Sequence, residues 1–304
     1  MTHPPTTPAS SQRASERPPL RILVAVDGSD SARVALECVA CLPLTAADLV
    51  VLLSIAEVDP VTARTLRRRQ GEDLDVLLRD TWAAERASAR RTVDAAALRL
   101  GPWETPVRQV VRGGPPVEAI ARLADELPAD LLAVGPRGRG LLTALVLGST
   151  THALLGRVAC PVLVGRRPVG APERVLLAVD GSSHGREAMR RLATYPLAAE
   201  AHITVATVAP RGSSPEGRDH ARAVAEEAAA TLLAAGLATE ATTLAGDPGE
   251  ELVSLAESIK ADLVAVGSRG RTVARGILLG SVSRHVVARA TCSVLVAPPA
   301  RPPG

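Results

Sequence analysis

Residues 131–151 read LLAVGPRGRGLLTALVLGSTT, and this stretch decides the fold. It opens with a short apolar run, Leu131 to Val134, which is typical of a buried parallel strand. Glycines 135, 138 and 140 follow, and Gly148 with Ser149 begins a helix pattern further on. Because glycine lacks a Cβ atom, such a loop can turn sharply and bring N–H groups close to an anion. Free amides at the helix start favour the same ligand. The stretch therefore predicts a phosphate-binding loop, here called the first cradle (residues 135–151).

The pattern occurs a second time. Residues 263–283 read LVAVGSRGRTVARGILLGSVS, so the spacing G-x-x-G-x9-G-S is repeated although most residues inside the gap differ. Residues 267–283 are called the second cradle. The repeat favours two ligand sites over the simpler interpretation, in which both glycine clusters are only tight turns that close αβ connections.

Length and composition restrict the class of protein. The chain has 304 residues, enough for two domains, and its net charge is only +3 at pH 7. It contains no Phe and two Trp, so it lacks the aromatic platforms that bind single-stranded nucleic acid. No signal peptide and no run of about 18 apolar residues is visible, so we expect a cytoplasmic protein without a membrane segment. No nucleic-acid partner is expected.

Strand and helix patterns alternate twice along the chain as β-α-β-α-β-α-β-α-β. This order predicts an α/β fold that consists of two tandem open parallel sheets, each with five strands. Each sheet is expected to be Rossmann-like, with helices on both faces. The predicted domains are residues 20–166 and 173–298, joined by a Pro/Gly linker at 167–172. Residues 1–19 are predicted to be a disordered tail, and residues 299–304 a C-terminal tail.

Asp27-Gly28-Ser29 follows the first strand, and Asp180-Gly181-Ser182 follows its counterpart in the second half. Ligands of open parallel sheets bind beyond the carboxyl ends of the strands. In each half, the aspartate turn and the cradle both follow strands. The two should therefore lie close together at the carboxyl edge of the sheet. The ends of the second strands, at Ile55 and Val208, should lie on that edge as well.

The chain closely resembles the universal stress protein family in its tandem form. The resemblance rests on V-A-V-D-G-S at residues 24–29, its copy L-A-V-D-G-S at residues 177–182, and the two G-x-x-G-x9-G-S motifs. It covers nearly the whole chain except the N-terminal tail. It implies an adenine nucleotide alpha hydrolase-like fold that binds ATP, with or without Mg²⁺. It also implies that the two halves pair through their last strands as an internal pseudo-dimer, with a homodimer and an unidentified protein partner as further expectations.

The resemblance also implies which residues hold the nucleotide. The two aspartates and the valines before them would contact the adenosine, Ile55 and Val208 the adenine, and the cradles the ribose and phosphates. The predicted contacts are Val26, Asp27, Ile55, Gly135, Arg137, Gly138, Gly148, Ser149, Thr150 and Thr151 in the first half, and Val179, Asp180, Val208, Gly267, Arg269, Gly270, Gly280, Ser281, Val282 and Ser283 in the second. Pro136 stands where the second half has Ser268, and proline lacks a backbone N–H.

Simpler roles remain open for several of these residues. Asp27 and Asp180 could cap the following helix, Arg137 and Arg269 could be solvent-exposed, and the serines after Gly148 and Gly280 could be helix caps. The histidines show no metal-ligand spacing and are interpreted as surface or core residues. Cys38 and Cys41 form a C-x-x-C inside an apolar helix pattern, which favours core packing over a redox or metal role. Cys160 and Cys292 are predicted to be buried.

The sequence thus predicts an ATP-binding regulatory protein that acts as a nucleotide sensor in stress response or dormancy. The cradles lack the Lys-Ser/Thr ending of a P-loop, and no residue stands out as a general base, so we expect binding without efficient turnover. A slow ATPase or self-phosphorylating enzyme and a cyclic-AMP binder are the alternatives. No catalytic and no metal-binding residue is assigned.

Overall fold

A computed structural model describes residues 17–57, 73–101, 103–138, 147–270 and 279–298. Several predictions fall outside these ranges. They are most of the N-terminal tail, the loop after the second strand, the central part of each cradle, and the C-terminal tail. Within the described residues no helix is both long and apolar enough to cross a membrane.

The first half alternates strands and helices as expected. Its elements are β1 (Arg21–Ala25), α1 (Asp30–Ala40), β2 (Leu49–Ala56), α2 (Asp73–Leu100), β3 (Val107–Gly113), α3 (Pro116–Glu126), β4 (Leu131–Val134), α4 (Ser149–Leu155) and β5 (Val162–Val164). The second half repeats the order with β6 (Arg174–Ala178), α5 (Ser183–Ala193), β7 (His202–Pro210), α6 (Pro215–Ala234), β8 (Ala238–Gly246), α7 (Pro248–Ser258), β9 (Leu263–Gly267), α8 (Ser281–Arg289) and β10 (Ser293–Ala297).

Two helices of the second half begin with a proline that follows a capping residue. Helix α6 begins at Pro215, where the Ser214 hydroxyl accepts the N–H of Gly217 at 3.2 Å. Helix α7 begins at Pro248, after an Asp247 cap. In both cases a proline occupies the first helical position, where its missing N–H has no consequence and its fixed φ suits the helix.

The ten strands found among the described residues form one sheet in the order β3-β2-β1-β4-β5-β10-β9-β6-β7-β8. Within each half all neighbouring strands are parallel, which confirms the predicted five-stranded units. The halves meet where β5 pairs antiparallel with β10, with Leu163 opposite Leu295. The pairing of the last strands, expected from the resemblance, is therefore internal to this chain.

The antiparallel pair also connects the two cores. Side chains alternate between the faces of a strand, so the central leucines enter one layer and the flanking valines the other. Leu163 and Leu295 belong to a buried cluster that contains Ile22 of the first half and Ile203 of the second. Each layer on the two faces of the sheet is thus shared by both halves.

Leu163→Ala tests this shared core. The Leu163 side chain is only 1% exposed, so its truncation should lower the free energy of unfolding by about 2–5 kcal/mol. Urea denaturation measures the change. The control is Leu98→Ala, because Leu98 is 82% exposed and should contribute almost nothing. Equal stability of the two variants would contradict the assigned core.

A buried carboxylate fastens the start of the first sheet half. The Asp48 side chain is inaccessible to solvent, and both of its oxygens accept hydrogen bonds from the Arg17 guanidinium at 2.7 Å. The backbone N–H groups of Leu20 and Thr45 also donate to it, at 2.8 and 2.7 Å. Burial opposes the charge, but the hydrogen bonds outweigh it and lower the pKa of Asp48. Arg17 is thereby held in place although it lies within the predicted tail.

Asp48→Asn should therefore remove a pH-dependent part of the stability. A carboxyl group with a lowered pKa stabilises the fold above its unfolded value of about 3.9, and this contribution is lost as the pH falls through the folded pKa. The variant should lose about 3 kcal/mol near neutral pH and should show a flatter acid dependence than wild type. Urea titrations across the acid range measure both effects. Asp30→Asn is the control, since the Asp30 side chain is 95% exposed. An acid profile of Asp48→Asn identical to wild type would contradict the assignment.

Candidate functional site

In each half, the described residues enclose a large cavity at the carboxyl ends of the strands. The first cavity has a volume of about 360 Å³ and lies between the ends of β1, β2 and β4 and the start of α4. The second, of about 440 Å³, lies in the matching place between β6, β7, β9 and α8. Both volumes are typical of small-molecule sites.

The structure brings the predicted site residues together. The first cavity is lined by Val26, Asp27, Ile55, Gly135, Arg137, Gly138, Gly148, Ser149, Thr150 and Thr151. The second is lined by Val179, Asp180, Val208, Gly267, Arg269, Gly270, Gly280, Ser281, Val282 and Ser283. All twenty predicted residues thus line the two cavities, ten in each.

The aspartates brace the turn into the following helix, and the serines cap it. Asp27 Oδ1 accepts the N–H of Ser29 at 2.9 Å, and the Ser29 hydroxyl accepts the N–H of Ala32 at 3.2 Å. Asp180 and Ser182 repeat both contacts, the first at 3.0 Å. Helix capping, which was the simpler role considered for the aspartates, is thus carried out by the serines.

The second carboxylate oxygen of each aspartate lies against the cradle. A Cβ atom on Gly138 would lie 2.8 Å from Asp27 Oδ2, and one on Gly270 would lie 2.9 Å from Asp180 Oδ2. Real Cβ atoms do not approach this closely, so a side chain at either position would displace the carboxylate, whereas glycine lets the cradle backbone pass beside it. Each cavity therefore has a carboxylate and a bare segment of main chain side by side.

The cradle closes onto the start of the next helix through its backbone. The N–H of Gly148 donates to the carbonyl of Pro136 at 2.8 Å, and the N–H of Gly280 donates to the carbonyl of Ser268 at the same distance. Gly148 and Gly280 are the N-cap residues of α4 and α8, and neither supplies a side-chain cap. The N–H groups of the first helical turn thus donate to no cap side chain at the cavity wall.

Thr151 and Ser283 fasten these helices to the neighbouring strands. The Thr151 hydroxyl donates to the carbonyl of Gly135 at 2.8 Å, and the Ser283 hydroxyl donates to the carbonyl of Gly267 at 2.5 Å. Both residues are buried. They were expected to offer a hydroxyl to the ligand, but each proton is used within the protein, so only an acceptor function is left on the cavity side.

The cradle arginines are half-buried in both halves. Arg137 lines the first cavity and Arg269 the second, which disagrees with the simpler interpretation of both as solvated surface residues. The Nε atom of Arg269 is buried and makes no hydrogen bond within the described part of the chain. A planar guanidinium in this position suits the oxygens of a phosphate group.

The two cavities differ at the side away from the cradle, near the ends of the second strands. The first has two carboxylates there, Glu57 and Glu85. The second has His220 and Thr207, and the buried Thr207 hydroxyl makes no hydrogen bond to the described residues. Sequence reasoning missed all four, because none of them belongs to the duplicated motifs.

No metal centre is built from side chains in the described ranges, where no group of three or more His, Cys, Asp or Glu residues is arranged to hold an ion. Mg²⁺ commonly keeps several waters and binds through one or two carboxylates and substrate phosphates. The described lining residues therefore fit a Mg²⁺ ion that arrives with a nucleotide, with Asp27 and Asp180 as the nearest carboxylates to the cradles.

All four cysteines are free thiols. Cys38 is buried, and its sulfur lies 3.5 Å from the Ser293 hydroxyl of the other half, which agrees with core packing. Cys160 and Cys292 are buried as predicted, and burial raises the pKa of their thiols to about 12 and about 11. These residues contribute to the core and lie outside both cavities.

Comparison with known proteins agrees with this architecture. A model of the universal stress protein family matches residues 20–166 and 172–298. A universal stress protein of Mycobacterium tuberculosis is 32% identical over 234 residues, which are 69% of this chain and 73% of that protein. One of Mycolicibacterium smegmatis is 34% identical over 192 residues, which are 56% of this chain and 62% of that protein.

The fold is also found among solved structures. A universal stress protein from Archaeoglobus fulgidus has a TM-score of 0.69 at 19% sequence identity, and the alignment covers 92% of this chain and 98% of that one. This likeness concerns the fold, since few residues are identical. The two matches to the family model, in contrast, include the aspartate turn and the cradle of each half. The chain therefore belongs to the universal stress protein family and contains two of its domains in tandem.

Proposed function

We propose that the chain binds an adenine nucleotide, ATP foremost, in each of its two cavities and acts as a nucleotide-responsive regulator. The observation that carries this proposal is the duplicated arrangement of carboxylate, bare main chain and arginine around a cavity of nucleotide size. The family resemblance supplies the adenine, because the aspartate turn and the cradle are the motifs on which that resemblance rests.

The two sides of each cavity are lined by chemically different groups. On the cradle side are backbone amides at a helix start and an arginine, which suit phosphate oxygens. On the opposite side are apolar strand ends, including Ile55 in the first half and Val208 in the second, which suit a flat purine. A nucleotide with its phosphates at the cradle satisfies both sides at once.

The cradle sequences favour binding over turnover, because both lack the Lys-Ser/Thr ending of a P-loop. Asp27 and Asp180 each use one carboxylate oxygen to accept a backbone N–H of the turn into the next helix, which holds them beside the cradle. A nucleotide that binds reversibly and is not hydrolysed can report its concentration through the occupancy of the cavity, which is the regulatory role proposed here.

Gly148→Val and Gly280→Val should each eliminate binding at their own cavity. An added Cβ at Gly148 would lie 3.2 Å from the Arg137 Cα, and one at Gly280 would lie 3.3 Å from the Arg269 Cα, so a branched side chain would obstruct the cradle. Calorimetric titration should give two ATP molecules per wild-type chain, one for each single variant and none for the double variant.

Each single variant is the control for the other, because the substitution is the same and only the cavity changes. Circular dichroism and urea denaturation would verify that the fold persists. Unchanged ATP affinity and stoichiometry in the double variant would contradict the assignment of the cradles as the nucleotide sites. Single-turnover hydrolysis with Mg²⁺ distinguishes the alternative of a slow ATPase, for which the rate would lie well above that of free ATP.

A further inference from the structure

The second cavity contains a buried hydroxyl group that no other described group pairs with. Thr207 of β7 lines this cavity and is only 5% exposed. Its Oγ1 atom makes no hydrogen bond within the described part of the chain. Unpaired buried hydroxyls are rare, because a polar group that leaves water without gaining a partner destabilises the fold. An unpaired hydroxyl at the wall of a ligand cavity therefore indicates a place that a polar ligand group completes.

The side chain of Thr207 faces helix α6. Side chains alternate between the two faces of a strand, so Thr207 shares a face with Ile203 and Val205. Both of these residues belong to the buried cluster that contains Leu232 of α6. The same helix contributes four residues to the lining of the second cavity, namely Gly217, His220, Ala221 and Val224. This part of the cavity, between the end of β7 and α6, is here called the α6 side.

The α6 side is mostly apolar. Glycine, alanine and valine side chains offer no hydrogen-bonding group, so Thr207 and His220 provide the polar side chains that α6 and β7 contribute to the described lining. Apolar walls with a few well-placed polar groups are typical of sites for small organic ligands. This composition suits a heteroaromatic ring with a polar edge better than it suits a phosphate.

A nucleotide whose phosphates lie at the second cradle would bring its base to this place. Val208 lines the cavity next to Thr207 and packs against the apolar layer on the opposite face of the sheet. A purine that packs on Val208 covers the end of β7, so its edge comes within reach of the neighbouring hydroxyl. Adenine presents both donors and acceptors on its edges, and a hydroxyl can pair with either kind of group.

The first cavity is lined differently at the matching place. The N–H of Val26 donates to the carbonyl of Leu53, as that of Val179 does to Ala206, so Ser54 matches Thr207. Ser54 is buried but is not among the described residues that line the first cavity. Of helix α2, Glu85 alone belongs to that described lining. The buried hydroxyl at the cavity wall is therefore a feature of the second half.

We propose that Thr207 recognises the base of the nucleotide in the second cavity through its hydroxyl group. The inference rests on the proposed function and deepens it, because it assigns a specificity-determining residue outside the duplicated motifs. The ligand supplies the hydrogen bond that the free protein lacks. Thr207 thus weakens the ligand-free fold and strengthens binding, and it does so in one cavity of the two.

Calorimetry on the Gly148→Val chain, in which only the second cavity should bind ATP, tests the contact. Thr207→Val keeps the branched shape but removes the hydroxyl, so ATP affinity should fall about three- to tenfold, the worth of one hydrogen bond. Thr207→Ser keeps the hydroxyl and should retain the affinity. Inorganic triphosphate has no base and should bind equally well with Thr or Val at this position. An equal loss of triphosphate and ATP affinity would overturn the assignment to the base.

The stability of the ligand-free chain should change in the opposite direction. Thr207→Val removes an unpaired buried hydroxyl, so the urea midpoint should rise. Thr204→Val is the matched control, because Thr204 lies on the same strand, is also 5% exposed and donates its hydroxyl to Glu240 at 2.9 Å. The control should lower the urea midpoint and leave ATP affinity unchanged. A lower midpoint in Thr207→Val would show a partner for the hydroxyl in the free protein and would overturn the proposal.

The outcomes separate this inference from the proposed function. If ATP binds the second cavity with the same affinity in Thr207→Val as in its parent chain, Thr207 does not contact the base, and the proposed function stands. If ATP binds neither cavity of the wild-type chain, both fail together. Loss of ATP affinity in Thr207→Val, with recovery in Thr207→Ser and a raised urea midpoint, is the result that the structure predicts.

Discussion

The contact between each aspartate carboxylate and the glycine backbone of its cradle is the constraint on which both sites depend. Asp27 and Asp180 are held in place by the turn that enters the next helix, so their second oxygens have fixed positions. The cradles pass so close to these oxygens that a side chain at Gly138 or Gly270 would displace the carboxylate. This approach leaves the main chain exposed to the cavity, where its amides can meet an anion.

The second constraint on the structure is the antiparallel pairing of β5 with β10. It joins two parallel half-sheets into one and makes the buried layers on both faces continuous. An internal pair of domains resembles a dimer in which the partners are free to diverge. The cavities show this divergence, since Glu57 and Glu85 line the first and His220 and Thr207 line the second.

The sequence predicted the features that depend on local geometry. Glycine suits position 148 because the backbone of Arg137 and Pro136 lies close to it, and the duplicated spacing made this pattern visible twice. The sequence did not predict Glu85 or His220 as lining residues, because the helices that bring them to the cavities are distant in sequence from the duplicated motifs. His184 was interpreted as a surface or core histidine, and the structure places it half-buried in the first turn of α5. Thr151 and Ser283 line the cavities as expected, but their protons serve the neighbouring carbonyls.

The central claim is that both cradles bind the phosphates of a nucleotide through exposed main chain. A crystal structure of the full chain grown with ATP tests it most directly. The account predicts one nucleotide in each cavity, with phosphate oxygens at about 2.7–3.2 Å from the amides that follow Gly148 and Gly280. Empty cavities, or ATP bound with its phosphates away from both cradles, would contradict it.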